Sequence, residues 1–140
     1  MTLYTPAILA LAAELADYPL TGQFSHRASA RSRMCGSVID IALDCDASGA
    51  ISRVGLQLAA CAMGQASAAI MAAGIKGRTA PEIAAVHNAL QAWLAGEGTL
   101  PEWPQIDLLV PALPHKGRHG ALLLPWTAAL EALSSAEARR

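Results

Sequence analysis

Alternating apolar and polar residues predict two β-strands in the middle of the chain. From Val38 to Asp46 every second side chain is apolar, and aspartates occupy the other face. A short turn, in which Gly49 is free to take a positive φ, leads to a returning strand from Ile51 to Ala59. The pattern therefore predicts an antiparallel hairpin.

The stretch from Gln23 to Arg33 is polar and basic and predicts a third strand at the edge of the sheet. Its three arginines alternate in part with smaller residues. A solvated outer face is the favoured interpretation of these arginines, and an anion site is the alternative.

Apolar residues at helical spacing predict helices on both sides of the hairpin. The helix near Thr79 has a strong start, because Glu82 follows three residues later and Pro81 falls in the first turn. Helices packed on one face of a small antiparallel sheet of about three strands define an α+β fold, which we expect to form one domain over residues 1–140. The predicted helices run from Leu3 to Tyr18, Ala62 to Gly74, Thr79 to about Leu94, and about His119 to Ala138, with a proline-containing loop from Gly96 to Gly117.

Charge and hydropathy exclude two classes of partner. A net charge of −1 gives no nucleic-acid footprint. Leu58 to Ile75 is about 18 residues without a formal charge, at the lower limit for a membrane span, but Gln65 and Ser67 are central and favour a buried helix. The N-terminus lacks the basic region of a signal peptide, so we expect a cytoplasmic protein.

The three cysteines carry the candidate chemistry. Their odd number rules out full internal pairing, and a reducing compartment favours metal or redox use. The hairpin should bring Cys35 and Cys61 to one edge of the sheet. Cys61 comes just before a predicted helix, whose unpaired N–H groups favour a thiolate. Cys45 lies on the apolar face of its strand and is expected in the core.

A pair of thiolates can bind a soft metal or an iron–sulfur unit, or can carry sulfur. Two thiolates are too few for a closed tetrahedral site. Further ligands must then come from elsewhere in the chain, from a partner or from solvent. Simple packing of free cysteines in the interior is the alternative.

Several short segments have an order and spacing that carry a family resemblance. The segments are Cys35-Gly36-Ser37, Gly49-Ala50-Ile51, Ala60-Cys61-Ala62, Ala66-Ser67-Ala68-Ala69-Ile70-Met71 and Lys76-Gly77-Arg78. They resemble the iron–sulfur cluster assembly scaffolds of the NifU/IscU/SufU family, and the resemblance covers roughly Leu3 to Leu133. It implies that Cys35 and Cys61 hold an iron–sulfur cluster or iron, with zinc possible as cargo, and that the partners are a cysteine desulfurase and cluster-accepting proteins.

The chain also departs from the family pattern and is in that sense a degenerate member. The acidic residue that follows Cys-Gly in the family is Ser37 here, and the usual Asn-Pro before the first cysteine is Ser32-Arg33. The third family cysteine lies about five residues before a tryptophan, and counting back from Trp126 gives Ala121. One thiolate and one carboxylate are therefore absent.

His119 lies two residues before that position, and its imidazole is a candidate metal ligand beside Cys35 and Cys61. A surface histidine at a helix start is the alternative. Arg118 also matches a family position, which implies pairing with a cluster sulfide, a persulfide or an acidic group of a partner.

Three functions remain open from the sequence. The first is a non-enzymatic carrier of a transient cluster, metal or persulfide, as a monomer or as a homodimer in which a bridging cluster replaces the lost ligand. The second is an interaction or regulatory module that has lost metal binding and uses the loop from Pro101 to Pro114. The third is a thiol enzyme using Cys61 with His119, which lacks an orienting carboxylate.

Overall fold

The computed structural model of the protein describes residues 4–33 and 36–138, except for the side chains of 135–138. The strands and helices fall close to where the residue pattern predicts them, and three 3₁₀ turns lie in two of the connections. In chain order they are α1 (Pro6–Ala13), a 3₁₀ turn (Glu14–Asp17), β1 (His26–Arg31), β2 (Val38–Cys45), β3 (Ile51–Ala59), α2 (Ala62–Gly74), α3 (Ala80–Leu94), 3₁₀ turns at Ile106–Ala112 and Lys116–Arg118, and α4 (His119–Ala138).

The three strands form one antiparallel sheet in the order β1-β2-β3. On β2, Ile39, Ile41 and Leu43 are fully buried and face the helical layer, as the alternation predicts. Helix α4 lies against β1 and β2, α2 packs between α4 and α1, and α3 packs on α4. The predicted α+β class, with helices on one face of a three-stranded sheet, is confirmed.

The first helix is shorter than its apolar pattern predicts. Thr5 caps it by accepting a hydrogen bond from the Ile8 N–H (3.2 Å). After Ala13 the backbone tightens into the 3₁₀ turn that ends at Asp17. The predicted single helix to Tyr18 is therefore wrong in its last turn, and Leu3 lies outside the described residues.

The segment between α1 and β1 crosses the outer face of the sheet, opposite the helices. The Tyr18 carbonyl accepts a hydrogen bond from the Leu56 N–H (2.8 Å) at the edge of β3. A Cβ on Gly55 would lie 2.9 Å from both the Phe24 ring and the Pro19 carbonyl oxygen. Only glycine at position 55 allows the segment to lie this close to the sheet.

An ion pair on the same outer face fixes the end of this segment. The Arg53 Nη2 atom lies 2.6 Å from Asp44 Oδ2, and the guanidinium stacks 3.8 Å from the centre of the Phe24 ring. Asp44 Oδ1 accepts hydrogen bonds from the Ser25 N–H (2.9 Å) and hydroxyl (3.1 Å). These bonds lower the pKa of Asp44, the Ser25 backbone bond most strongly.

A buried hydroxyl joins α2 to α4. Ser67 is fully buried, and its Oγ donates to the Leu122 carbonyl (2.6 Å). The same Oγ accepts a hydrogen bond from the Trp126 indole N–H (3.1 Å). Because buried polar groups need partners, these bonds fix the relative position of the two helices. No helix in the described part of the chain is long and apolar enough to span a membrane, and Leu58 to Ile75 divides between β3 and α2.

The long loop after α3 is fastened to α2 by a tryptophan. The Trp103 indole donates to the Ile70 carbonyl (2.8 Å) and meets Trp126 edge-on, with ring centres 4.8 Å apart. Gly74 leaves room for it, since a Cβ there would lie 2.7 Å from Trp103 Nε1. Arg78 covers the ring at 4.4 Å from its centre. The same loop contains a 3₁₀ turn whose buried residues are Ile106, Leu109 and Ala112.

Candidate functional site

The register of the sheet gathers three chain segments at one end. Arg31 pairs with Val38, and Val38 pairs with Ala59. The end of β1, the start of β2 and the end of β3 therefore lie at the same end of the sheet. Gly36 leads into β2 at this end, and Cys61 follows β3 there. The hairpin thus brings its two ends together, as predicted, for the described residues Gly36 and Cys61.

The β1–β2 connection is closed by backbone hydrogen bonds. The Ser32 N–H donates to the Ser37 carbonyl (2.8 Å), and the Gly36 N–H donates to the Ser32 carbonyl (3.0 Å). Gly36 has a φ of +72°, which a residue with a side chain rarely adopts. Met34 and Cys35 belong to this connection by sequence and lie outside the described residues. The role of Cys35 therefore stays a prediction.

Cys61 is the N-cap residue of α2. Its backbone is extended (φ −66°, ψ 165°), and its carbonyl accepts the first helical hydrogen bond, from the Gln65 N–H (3.0 Å). The Gln65 side chain reaches back to the Ala60 carbonyl (2.8 Å). The Cys61 side chain is partly exposed and makes no capping hydrogen bond. Cys61 also packs against the core, and it lies at the N-terminal end of the helix.

Ala121 lies against the first turn of α2, and this turn directly follows Cys61 in the chain. A Cβ built on Gly64 would be 3.2 Å from the Ala121 Cβ and 3.0 Å from the Ala60 Cβ. Ala121 itself is buried. The position at which the family resemblance places a third cysteine therefore adjoins the helix start that carries Cys61, and it holds a methyl group in this chain.

His119 lies on a different side of α4 from Ala121. Two residues along a helix correspond to a rotation of about 200°. The His119 Nε2 atom lies 2.8 Å from the Leu113 carbonyl and 3.2 Å from the Ala112 carbonyl, and the residue lines a shallow depression with Gln91 and Leu94 of α3. These contacts give the His119 imidazole hydrogen-bond partners within the protein. Its predicted role as a metal ligand stays a prediction.

Cys45 is at the other end of the sheet. It pairs with Ile51 at the last position of β2, seven residues from Val38, which is about 24 Å at the usual rise of a strand. The side chain packs against the core and is partly buried. Burial raises the pKa of its thiol, and the nearby carboxylates of Asp46 and Asp44 raise it further. Cys45 is thus separate from the site at Cys61.

Of two further residues considered for the site, Ser37 departs from the family pattern and Arg118 matches it. Ser37 replaces the acidic residue and is almost completely buried, so this position adds no carboxylate to the site. Arg118 lies 6.0 Å from the centre of the Tyr4 ring. Within residues 4–33 and 36–134, no three histidine, cysteine, aspartate or glutamate side chains are grouped closely enough to hold a metal ion. Cys35 lies outside these ranges.

Two positioning residues were not recognised from the sequence. Ser67 and Gly64 belong to an alanine-rich helix whose composition indicates only close packing. The structure shows that Ser67 bonds α2 to α4 and that Gly64 lets Ala121 approach. A hydroxyl in the middle of an otherwise apolar helix was the available signal, because such a group must find a partner.

Two solved structures have the same fold as this chain. The N-terminal part of a nitrogen-fixing NifU-like protein from Brucella abortus superposes with a TM-score of 0.88 at 28% identity, over 99% of this chain and 96% of that one. A protein from Fervidobacterium islandicum AW-1, assigned as an iron–sulfur cluster assembly scaffold for the SUF system, superposes with a TM-score of 0.84 at 20% identity, over 94% and 96% of the two chains.

The protein thus has the same α+β fold as these two proteins. No protein-family profile matches the chain. No curated protein matches it either. The resemblance to the NifU/IscU/SufU-like family that the sequence predicts is confirmed by the two superpositions.

Proposed function

We propose that this protein is a scaffold-like carrier for iron–sulfur cluster assembly, which holds a transient cluster, a metal ion or a persulfide on Cys35 and Cys61. The observation that carries the proposal is the sheet register, because it brings Gly36 and Cys61 to one edge with Cys61 at the start of α2. The similarity of the fold to named scaffold proteins supports it. The protein supplies ligands and transfers its cargo, and it is not itself an enzyme.

Sulfur would be received by thiol exchange at Cys61. The Cys61 thiolate attacks the outer sulfur of a persulfide on a cysteine desulfurase, the S–S bond of the donor breaks, and the donor cysteine leaves as a thiolate. Cys61 then carries the persulfide, and no external oxidant or reductant is consumed. The position of Cys61 at the helix N-terminus, where the residue is partly exposed, supports this role.

Metal cargo would be held by fewer protein thiolates than a closed site requires. Iron and zinc in thiolate sites usually have four ligands, and this chain offers Cys35 and Cys61 with Ala121 at the third position. His119, a second copy of the chain, an acceptor protein or a solvent ligand would complete the coordination. We expect weaker retention of metal than three cysteines would give, which suits transfer to an acceptor.

The metal content of the purified protein tests this proposal. The protein is purified without oxygen, reconstituted with ferrous iron and sulfide or with zinc, and assayed for each metal and for acid-labile sulfide. We expect binding by the wild type that is lost in both Cys35→Ala and Cys61→Ala. Cys45→Ala is the matched control and should retain the cargo, since Cys45 lies at the other end of the sheet. Equal loading of all four proteins would contradict the proposal.

The second candidate function is an interaction module without metal. The replacements at Ser37 and Ala121 favour it, because they remove a carboxylate and a thiolate from the family pattern. Absence of metal and of persulfide from the wild type under all reconstitution conditions would select this alternative. In either case we propose a single-domain protein of the cytoplasm, a compartment that keeps its thiols reduced.

A further inference from the structure

The outer edge of β1 carries a row of arginine side chains that the proposed cargo site does not use. Arg27 and Arg31 are exposed on β1, on the outer face of the sheet, and Arg33 is exposed just after the strand. Among the described residues, ion pairs involve Arg53 and Arg78 but not these three arginines. No aspartate or glutamate occurs between Gln23 and Arg33. We call Arg27, Arg31 and Arg33 the basic stripe.

The backbone beside this stripe has an open hydrogen-bonding edge. Within residues 4–33 and 36–138, β1 pairs with β2 and with no other strand, and it is the first strand of the sheet order. In an antiparallel edge strand, alternate residues direct their N–H and C=O groups away from the neighbouring strand. Helix α4 packs against β1 but makes no backbone hydrogen bond to it in this part of the chain. The edge can therefore accept a further strand.

The charges of the stripe select the kind of strand that can pair. A second copy of β1 would place arginines opposite arginines on the outer face, and like charges at cross-strand positions destabilise a pair. An extended segment with carboxylates at alternate positions would place them beside Arg27 and Arg31. Asp40, the nearest acidic residue on this face, is bonded to the Ser29 hydroxyl and is not ion-paired to the stripe.

We propose that the open edge of β1 binds an extended, acidic segment of a partner protein by strand addition. A cavity of about 430 Å³ lies beside the strand on the outer face of the sheet and is lined by Leu20, Arg27, Ala28, Ser29, Asp40 and Ile41. Because Asp40 lines it, the cavity suits an uncharged side chain of the segment. β1 ends at Arg31, at the same end of the sheet as Gly36 and Cys61. A partner bound here would therefore reach the end of the sheet that carries the candidate site.

A defined peptide tests the proposal on the intact protein. The probe is a capped octapeptide of alternating glutamate and valine. We expect it to bind and to slow amide hydrogen exchange at alternate residues of β1, read by nuclear magnetic resonance, with binding weakened several-fold in high salt. The same peptide with lysine in place of glutamate, and one with proline in place of valine, should bind at least tenfold more weakly, because they lack the charge and the backbone donors respectively.

Charge reversal on the protein provides the second arm. Arg27→Glu with Arg31→Glu should weaken binding of the glutamate peptide at least tenfold. Lys76→Glu with Lys116→Glu is the matched control, because it changes the net charge equally at two exposed lysines away from β1, and it should leave binding within twofold. If the first variant does not fold, the three peptides on the wild type still decide the question.

Two outcomes would overturn the proposal. Binding of the glutamate peptide without protection of β1 amides would mean that the stripe only attracts anions. Absence of binding would mean that the arginines serve only to keep sheet edges apart. Neither outcome depends on metal or sulfur loading, so this inference and the proposed carrier function fail or succeed separately.

Discussion

The indole of Trp126 donates a hydrogen bond to the hydroxyl of Ser67 at 3.1 Å, and both side chains are fully buried. The hydroxyl in turn donates to the Leu122 carbonyl. This relay sets the distance between α2, which begins next to Cys61, and the part of α4 that carries Ala121. The geometry of the candidate site therefore depends on two residues that do not belong to it.

Removal of the hydroxyl should destabilise the fold. Ser67→Ala leaves the Trp126 N–H and the Leu122 carbonyl without their partner, and an unsatisfied buried polar group costs about 1–3 kcal/mol. Urea unfolding monitored by tryptophan fluorescence measures the free energy of unfolding. Ser52→Ala, at an exposed serine on β3, is the control and should change it by less than about 0.5 kcal/mol. Equal effects of the two substitutions would contradict the relay.

A cysteine at position 121 should strengthen metal binding if the carrier proposal is correct. Ala121→Cys adds a thiolate ligand beside the start of α2, where Ala121 now contacts the position of Gly64. We expect zinc or iron to be retained at least tenfold more tightly in a competition with a chelator. Ala121→Ser, with a side chain of similar size, is the control and should not improve retention. A gain in Ala121→Ser equal to that in Ala121→Cys would contradict the ligand role.

The free cysteines should differ in reactivity. The raised pKa of Cys45, caused first by burial and then by Asp46 and Asp44, lowers its thiolate fraction at neutral pH. We expect iodoacetamide to modify Cys45 more slowly than Cys61, which is accessible at a helix start, by several-fold in peptide mapping by mass spectrometry. Asp46→Asn should speed the modification of Cys45, whereas Asp40→Asn, at the opposite end of β2, should not. Faster labelling of Cys45 than Cys61 would be the contrary result.

The Asp44 carboxylate should make stability depend on acid pH. Its pKa in the folded protein is lowered by the bonds from Ser25 and Arg53, so its contribution is complete above the unfolded value of about 3.9 and is lost as pH falls through the lower folded value. The difference in free energy of unfolding between wild type and Asp44→Asn should be constant from pH 5 to 7 and shrink below about pH 4. A carboxyl titration of Asp44 by nuclear magnetic resonance at or above 3.9 would contradict this.

The sequence predicts most of the fold because local signals agree there. Alternation along β2 and β3, with Gly49 at a φ of +89° in the turn between them, indicates the hairpin but not the register shift between Asp44 and Cys45. Asp46 completes the turn by accepting hydrogen bonds from the Ser48 and Ala50 N–H groups. The hairpin then brings Cys61 to the expected edge without further information.

The sequence does not predict how the helices rotate against one another. His119 and Ala121 are two residues apart, and which of them faces Cys61 depends on contacts of α4 with α2 and α3 that no local pattern encodes. The burial of Trp103 inside a loop is a similar case, since its partner is the Ile70 carbonyl, distant in the chain. Such long-range contacts decide the composition of the site.

The anchoring of Trp103 has a consequence for the proline-containing loop. One indole joins that loop to the last turns of α2, under the guanidinium of Arg78. A free loop would lose conformational entropy when it binds a partner. In this loop much of that entropy has already been lost on folding. A protein that binds this loop would therefore bind a segment that is already ordered. Its effect would reach the C-terminal end of α2 and not the N-terminal end next to Cys61.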